Sequence, residues 1–153
     1  MNACLDINNI KNYNIFFNKK IPNTVIDNSY FIRINYSNEL FTLSGLLIYL
    51  KINITNTERY FNKFKYNFDL SDNLTIIDKL IKLEKLLLEN EKFKHLEKNY
   101  KLKEQLYNLN IRTFEHIDSY NNNLTFLLKI SGIWLTDTQC GLTFKFLPYK
   151  PIR

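Results

Sequence analysis

The sequence predicts an α+β fold, a mainly antiparallel sheet or partly closed β-barrel with a helical insertion at residues 71–110. Three observations predict it. Residues alternate with a period of two from Tyr30 to Leu70, the period becomes helical after Ser71, and alternation returns from Phe126 to Phe146. Strands, then helices, then strands describe an α+β chain rather than repeating βαβ units. The chain has 153 residues, of which 45% are hydrophobic and 15% aromatic. That is enough apolar surface to offset chain entropy, and enough length for a single domain, 1–153.

Each element has its own reason. Residues 1–28 are polar and Asn-rich around one apolar knot, Tyr13 to Phe17, read as a short strand or turn at the domain edge. Tyr30, Ile32, Ile34 and Tyr36 then share one parity, and Phe31, Arg33 and Asn35 the other. Ser37-Asn38-Glu39 supplies a turn. The run Phe41 to Ile54 places Leu46, Ile48, Leu50, Ile52 and Ile54 on one face, with Gly45 as the place for a bulge or kink. A third strand alternates Phe64, Tyr66, Phe68 and Leu70 against Lys63, Lys65, Asn67 and Asp69.

Ser71-Asp72-Asn73 is an N-cap cluster, and Ile76, Leu80, Leu83 and Leu87 follow at helical spacing. Asp78 and Lys82 support that helix as an i,i+4 pair, and Asn90 ends or bends it. Residues 91–110 read as a second helix on Leu102, Leu106 and Leu109. The last segment is a hairpin. Phe126, Leu128, Ile130 and Trp134 share a parity, Thr136 to Gln139 turn, and Leu142, Phe144 and Phe146 return, closed by Pro148 and Pro151.

Composition excludes several classes. Three Gly and three Pro rule out collagen-like and Gly-loop nucleotide-binding architectures, and two Cys are too few for a disulfide scaffold or a thiolate zinc site. No stretch reaches the roughly 18 apolar residues of a membrane span. The first residues show neither a basic n-region nor an apolar h-region, so a soluble, cytoplasmic protein is expected. Abundant Asn, Lys, Ile, Tyr and Phe, with Ala3 the only alanine, suit an AT-rich genome. That codon bias softens what the net charge of +6 says about nucleic acid.

Catalytic patterns are nearly absent, and no enzyme, metal or cofactor is expected. His95 and His116 lack a partner pattern, no phosphate loop or zinc spacing occurs, and the carboxylates Asp78, Glu84, Glu89 and Glu97 fit solvated helix faces. Cys140 reads as a small buried filler, with a Cys–His nucleophile as the competing reading.

The remaining pattern interleaves cations with rings on strands. Single-stranded nucleic acid is held by cations that follow its phosphates and by flat side chains that stack on its bases. Phe31 beside Arg33 and Tyr49 beside Lys51 lie on the less apolar strand faces, Lys63 and Lys65 on the third strand, and Lys129 and Lys145 on the polar parity of the final hairpin. These eight are the candidate nucleic-acid-binding residues. The competing reading is a solvated strand face. Trp134 shares the parity of Phe126 and so reads as core, with base stacking as the alternative. Lys92, Lys94, Lys98, Lys101 and Lys103 form a denser run, read as a solvated helix face, a phosphate track or a dock for an acidic partner. The stripe from Ile76 to Leu88 is core, or a dimerisation helix of a homo-oligomer.

The segment Ser131-Gly132-Ile133-Trp134-Leu135-Thr136-Asp137-Thr138-Gln139-Cys140-Gly141-Leu142-Thr143-Phe144-Lys145-Phe146 resembles a C-terminal hairpin of small single-stranded-DNA-binding proteins. These belong to nucleocytoplasmic large DNA viruses and related AT-rich cytoplasmic linear DNA elements. The shared features are Gly-Ile-Trp, a short polar turn, then Gly-Leu-Thr and an aromatic-Lys pair. The resemblance implies an OB-like barrel that coats unpaired DNA during replication without a cofactor, and it makes Trp134, Phe144 and Lys145 part of the motif. Many phage and bacterial single-stranded-DNA-binding proteins end in an acidic tail, where this chain reads Lys-Pro-Ile-Arg.

The expected function is therefore sequence-independent single-stranded DNA binding in replication of an AT-rich viral or virus-like genome. The expected partners are single-stranded DNA and replication or transcription proteins of the same genome. The alternatives are a small accessory subunit of a viral-type transcription or replication complex, a terminus- or duplex-binding factor, and an enzyme using Cys140.

Overall fold

In a computed structural model, which describes residues 4–117 and 121–149, the chain forms an α+β protein built on one large, mainly antiparallel sheet that does not close. Its elements are β1 (Leu5–Asp6), β2 (Ile15–Phe17), β3 (Ile21–Pro22), β4 (Tyr30–Ser37), β5 (Thr42–Ser44), β6 (Leu46–Tyr60), β7 (Lys63–Phe68), α1 (Leu70–Leu88), β8 (Glu97–Asn99), α2 (Lys101–Tyr107), β9 (Asn110–Thr113), β10 (Asn123–Leu135) and β11 (Gln139–Pro148). The main path runs β2-β4-β10-β6-β7-β9, with β11 on the other side of β10. Two short pairings are parallel, β1 on β6 and β8 on β11.

β10 is the spine. Residues Asn123 to Ile130 pair with β6, and Gly132 to Leu135 pair with β4, while β11 accompanies nearly the whole strand. The change of partner coincides with a bulge between Ile130 and Gly132. A bulge adds a residue to one strand, so it reverses which parity faces inward. Before it, Leu124, Phe126, Leu128 and Ile130 are buried; after it, Ile133 and Leu135 are. Trp134 therefore does not share a face with Phe126, and the core position expected for it is corrected: it is half-buried on the outward side.

The inward face of the sheet packs against α1 and α2 in one core cluster containing Ile34, Leu46, Ile48, Leu50, Ile52, Tyr66, Ile77, Leu80, Leu87 and Leu106. Gly45, at φ 85°, separates β5 from β6, and its N–H donates to the Ile34 carbonyl at 2.7 Å. β6 runs on to Tyr60, beyond its expected end, and meets β7 through a two-residue turn at Phe61 and Asn62.

Three expectations in the helical region are corrected. Leu70 opens α1 rather than closing the third strand, and the N-cap is Asp69, without a side-chain cap bond. Asn73, expected in the cap, is buried and turned onto β6. It accepts from the Asn53 N–H at 2.8 Å and donates to the Asn53 and Asp69 carbonyls at 2.9 and 3.0 Å. The second helix is shorter than expected: a 3-10 turn at Glu91–Phe93 and then β8 precede it, and it ends at Tyr107, before β9 begins at Asn110.

Glu84, expected on a solvated face, is fully buried. Its two carboxylate oxygens accept the N–H groups of Leu102 and Lys103, each at 2.9 Å, so a side chain of α1 caps the first turn of α2. Burial pushes its carboxyl above the ordinary value despite those two bonds and the nearby Lys103.

Candidate nucleic-acid interface

Pairing registers fix which side chains share the outward face. On β4, Phe31 is opposite Trp134 and Arg33 is opposite Gly132. Across β6 and β10, Tyr49 faces Leu127, Lys51 faces Thr125, and Leu47 faces Lys129. Lys129 also faces Lys145 on β11. A second bulge, between Ile54 and Asn56, turns Glu58 and Tyr60 outward, with Lys65 and Lys63 across from them. Lys65 is in turn opposite Arg112 of β9. All eight residues singled out from the sequence thus occupy the outward parity of one continuous sheet, away from the helices.

Charge on that face is one-sided. Outward positions of β4, β6, β7, β9, β10 and β11 carry Arg33, Lys51, Lys63, Lys65, Arg112, Lys129 and Lys145 against one carboxylate, Glu58. The ion pairs found among the described residues are all local to the helical region: Lys82–Asp78, Lys85–Glu89, Lys94–Glu91 and Lys101–Glu104. Arg33 instead donates to the Ser44 hydroxyl at 3.0 Å. Cations without carboxylate partners keep their charge available to an external anion.

The rings are held differently from one another. A Cβ placed on Gly132 would lie 2.6 Å from Phe31 Cζ, and one on Gly141 would lie 2.6 Å from Trp134 Cζ2. Both aromatic side chains pack directly against a glycine, a contact open only to a residue without a side chain. Tyr49 meets Tyr149 edge-on at 5.3 Å. At the end of the β6–β7 hairpin, Tyr60 and Phe61 contact each other at 4.7 Å, Phe61 is 82% exposed, and the Arg112 guanidinium lies 6.0 Å from the Tyr60 ring.

Sequence reasoning missed Arg112, Tyr60, Phe61 and Phe114. They lie in segments with no clear alternation: the β6–β7 hairpin places Tyr60 and Phe61, and the pairing of β9 on β7 brings Arg112 and Phe114 to the others.

The lysine-rich run is accounted for locally. Lys98 donates its ammonium to the Phe93 and Leu96 carbonyls at 2.7 and 2.8 Å. Lys94 and Lys101 are ion-paired, Lys92 lies 5.8 Å from the Phe17 ring, and Lys103 lies 5.9 Å from Tyr107. Cys140 is fully buried, and burial pushes its thiol up, the opposite of what a nucleophilic thiolate needs. No group of three or more His, Cys, Asp or Glu among the described residues is placed to hold a metal, and no described helix is long and apolar enough to cross a membrane.

Comparison of the chain with protein-family models, with curated proteins and with solved structures finds no match in any of the three.

Proposed function

We propose that the chain binds single-stranded DNA without sequence preference, in replication of an AT-rich viral or virus-like genome. One observation carries the binding: an outward sheet face with seven cations, rings among them, and a single opposing carboxylate, while carboxylate pairing is spent on the helices. A flexible polyanion with exposed bases matches that chemistry, because cations displace its counterions and rings of any kind stack on any base. The curl that brings β9 near β11 suits an OB-like, partly closed barrel, in keeping with the resemblance of the C-terminal hairpin. The setting in replication rests on that resemblance alone.

An accessory subunit that docks an acidic partner through the lysine-rich run is less favoured, because Lys94 and Lys101 are paired with carboxylates and Lys98 donates to backbone carbonyls. The test is titration of labelled dT oligomers of increasing length at two salt concentrations. Affinity that rises with length to a plateau and falls steeply with salt supports the proposal. Preference for duplex ends, or absence of binding, overturns it.

A further inference from the structure

The groove between β9 and β11 lies outside what the sequence pointed to. The two strands approach without forming a ladder, and α2 covers one end of the space between them. The half-open groove has a volume of about 610 Å³ and is lined by Lys63, Arg112, Phe114, Glu115, Phe144 and Lys145, three cations against one carboxylate. That volume is within the roughly 300–1,000 Å³ of sites that enclose small organic ligands. Phe114 is 67% exposed, and the Lys63 ammonium lies 5.2 Å from its ring. A large exposed ring beside Lys63 and Arg112, with Lys145 of β11 across the cleft, has no core to fill. It combines the two features that a nucleotide uses, a stacking surface for the base and positive charge for the phosphate.

We infer that this groove is where the bound strand is gripped, resting on the single-stranded-DNA reading above. A base stacks on Phe114, with Phe144 as the opposite wall, and the adjoining phosphates lie between Arg112, Lys63 and Lys145. The open face with Arg33, Tyr49 and Lys51 then guides the strand through long-range charge. Lys63, Arg112 and Lys145 belong to both surfaces, so the strand passes from one to the other without leaving positive potential. Enclosure makes the difference in strength: a base in a cleft loses water on both faces, whereas one on an open sheet loses it on one.

The experiment compares Phe114→Ala and Arg112→Ala with Arg33→Ala and Lys51→Ala, using dT oligomers and fluorescence anisotropy. All four side chains are exposed, so each variant is expected to fold, which circular dichroism checks. The groove variants should each weaken binding about tenfold, and the face variants two- to threefold. Photocrosslinking with 5-iodouracil in the oligomer adds an independent readout, with adducts expected on Phe114 or Phe144. Wild-type affinity in both groove variants, or adducts only on Phe31, Tyr49 and Trp134, overturns the groove while leaving the proposed function standing. Failure of the wild-type protein to bind any dT oligomer overturns both.

Discussion

Lys129 and Lys145 stand directly opposite each other across the β10–β11 ladder. Side chains in that relation are about 4.5–5.5 Å apart at Cβ, and like charges there destabilise a sheet by a fraction of a kcal/mol. On its other side, Lys129 faces Leu47 rather than a carboxylate. The pair is thus a local cost to folding, retained in the middle of the outward face. Replacing Lys145 with Thr, a good strand former, should raise stability by about 0.2–1 kcal/mol at low salt while weakening dT binding. Thermal melts and anisotropy titrations on the same variant test this. A variant that neither gains stability nor loses affinity would leave the pair without a role.

The single tryptophan offers a direct reporter. Trp134 lies on the outward face over Gly141, half-exposed, and opposite Phe31. If the strand crosses this end of the sheet, adding dT oligomers should quench Trp134 emission. Gly141→Ala should shift the emission of the free protein as well, because its Cβ would force the indole off the backbone. Gly132→Ala is a harsher change. Its Cβ would fall 2.2 Å from the Ile32 carbonyl oxygen, a backbone atom that yields less readily than a side chain, so a loss of about 3 kcal/mol is expected in chemical denaturation.

How far the chain could be read in advance follows from where its periodicity is continuous. β4, the first half of β6, β7 and α1 were legible because unbroken alternation or helical spacing survives across them. Trp134 was misplaced by one inserted residue: parity cannot be carried through a bulge that only pairing reveals. Glu84 was misjudged because a carboxylate at a helix position looks the same whether it meets water or the N–H groups of a neighbouring helix. β8 and β9, three and four residues long, are held by their partners rather than by pattern. The cationic side of the candidate site was legible strand by strand. Its groove was not, because Arg112 and Phe114 meet Lys145 only through the curl of the sheet.

The buried capping carboxylate gives the fold a pH dependence of known sign. Glu84 has a folded value raised above 4.5, so the unfolded chain ionises first and the native state holds the proton longer. Its contribution to stability is therefore greatest below pH 4.5 and declines as pH rises through the folded value. Glu84→Gln should remove that decline, so the stability gap between wild type and variant narrows with rising pH. Glu84→Leu leaves the Leu102 and Lys103 N–H groups without acceptors and should cost about 1–3 kcal/mol for each one that stays dry. Urea denaturation from pH 4 to 8 measures both; a gap that widens with pH would contradict the assignment.

At the hairpin tip, Phe61 has φ 54°, a left-handed conformation that a bulky side chain adopts at a cost of about 1–3 kcal/mol. Phe61→Gly should recover part of that energy while removing an exposed ring. A more stable variant with weaker dT binding would show that the strain holds a functional side chain. Greater stability with unchanged affinity would make it only a turn residue.

Lys63 and Lys65 allow the electrostatic model to be counted. Each phosphate neutralised on a single strand releases counterions, giving a slope in log affinity against log salt of about −0.7 per contact. Lys63 borders the groove, and Lys65 lies opposite Glu58 on one side and Arg112 on the other, so the two sample different parts of one proposed track. Replacing both with Gln should make the slope shallower by about 1.4 if each meets a phosphate, and by about 0.7 if only Lys63 does. Glu at both positions should weaken binding further by repelling the strand. Lys82→Gln and Lys85→Gln on α1, whose partners are Asp78 and Glu89, should leave the slope unchanged. Equal effects from the helix and the strand lysines would mean that net charge alone, not an oriented face, governs binding.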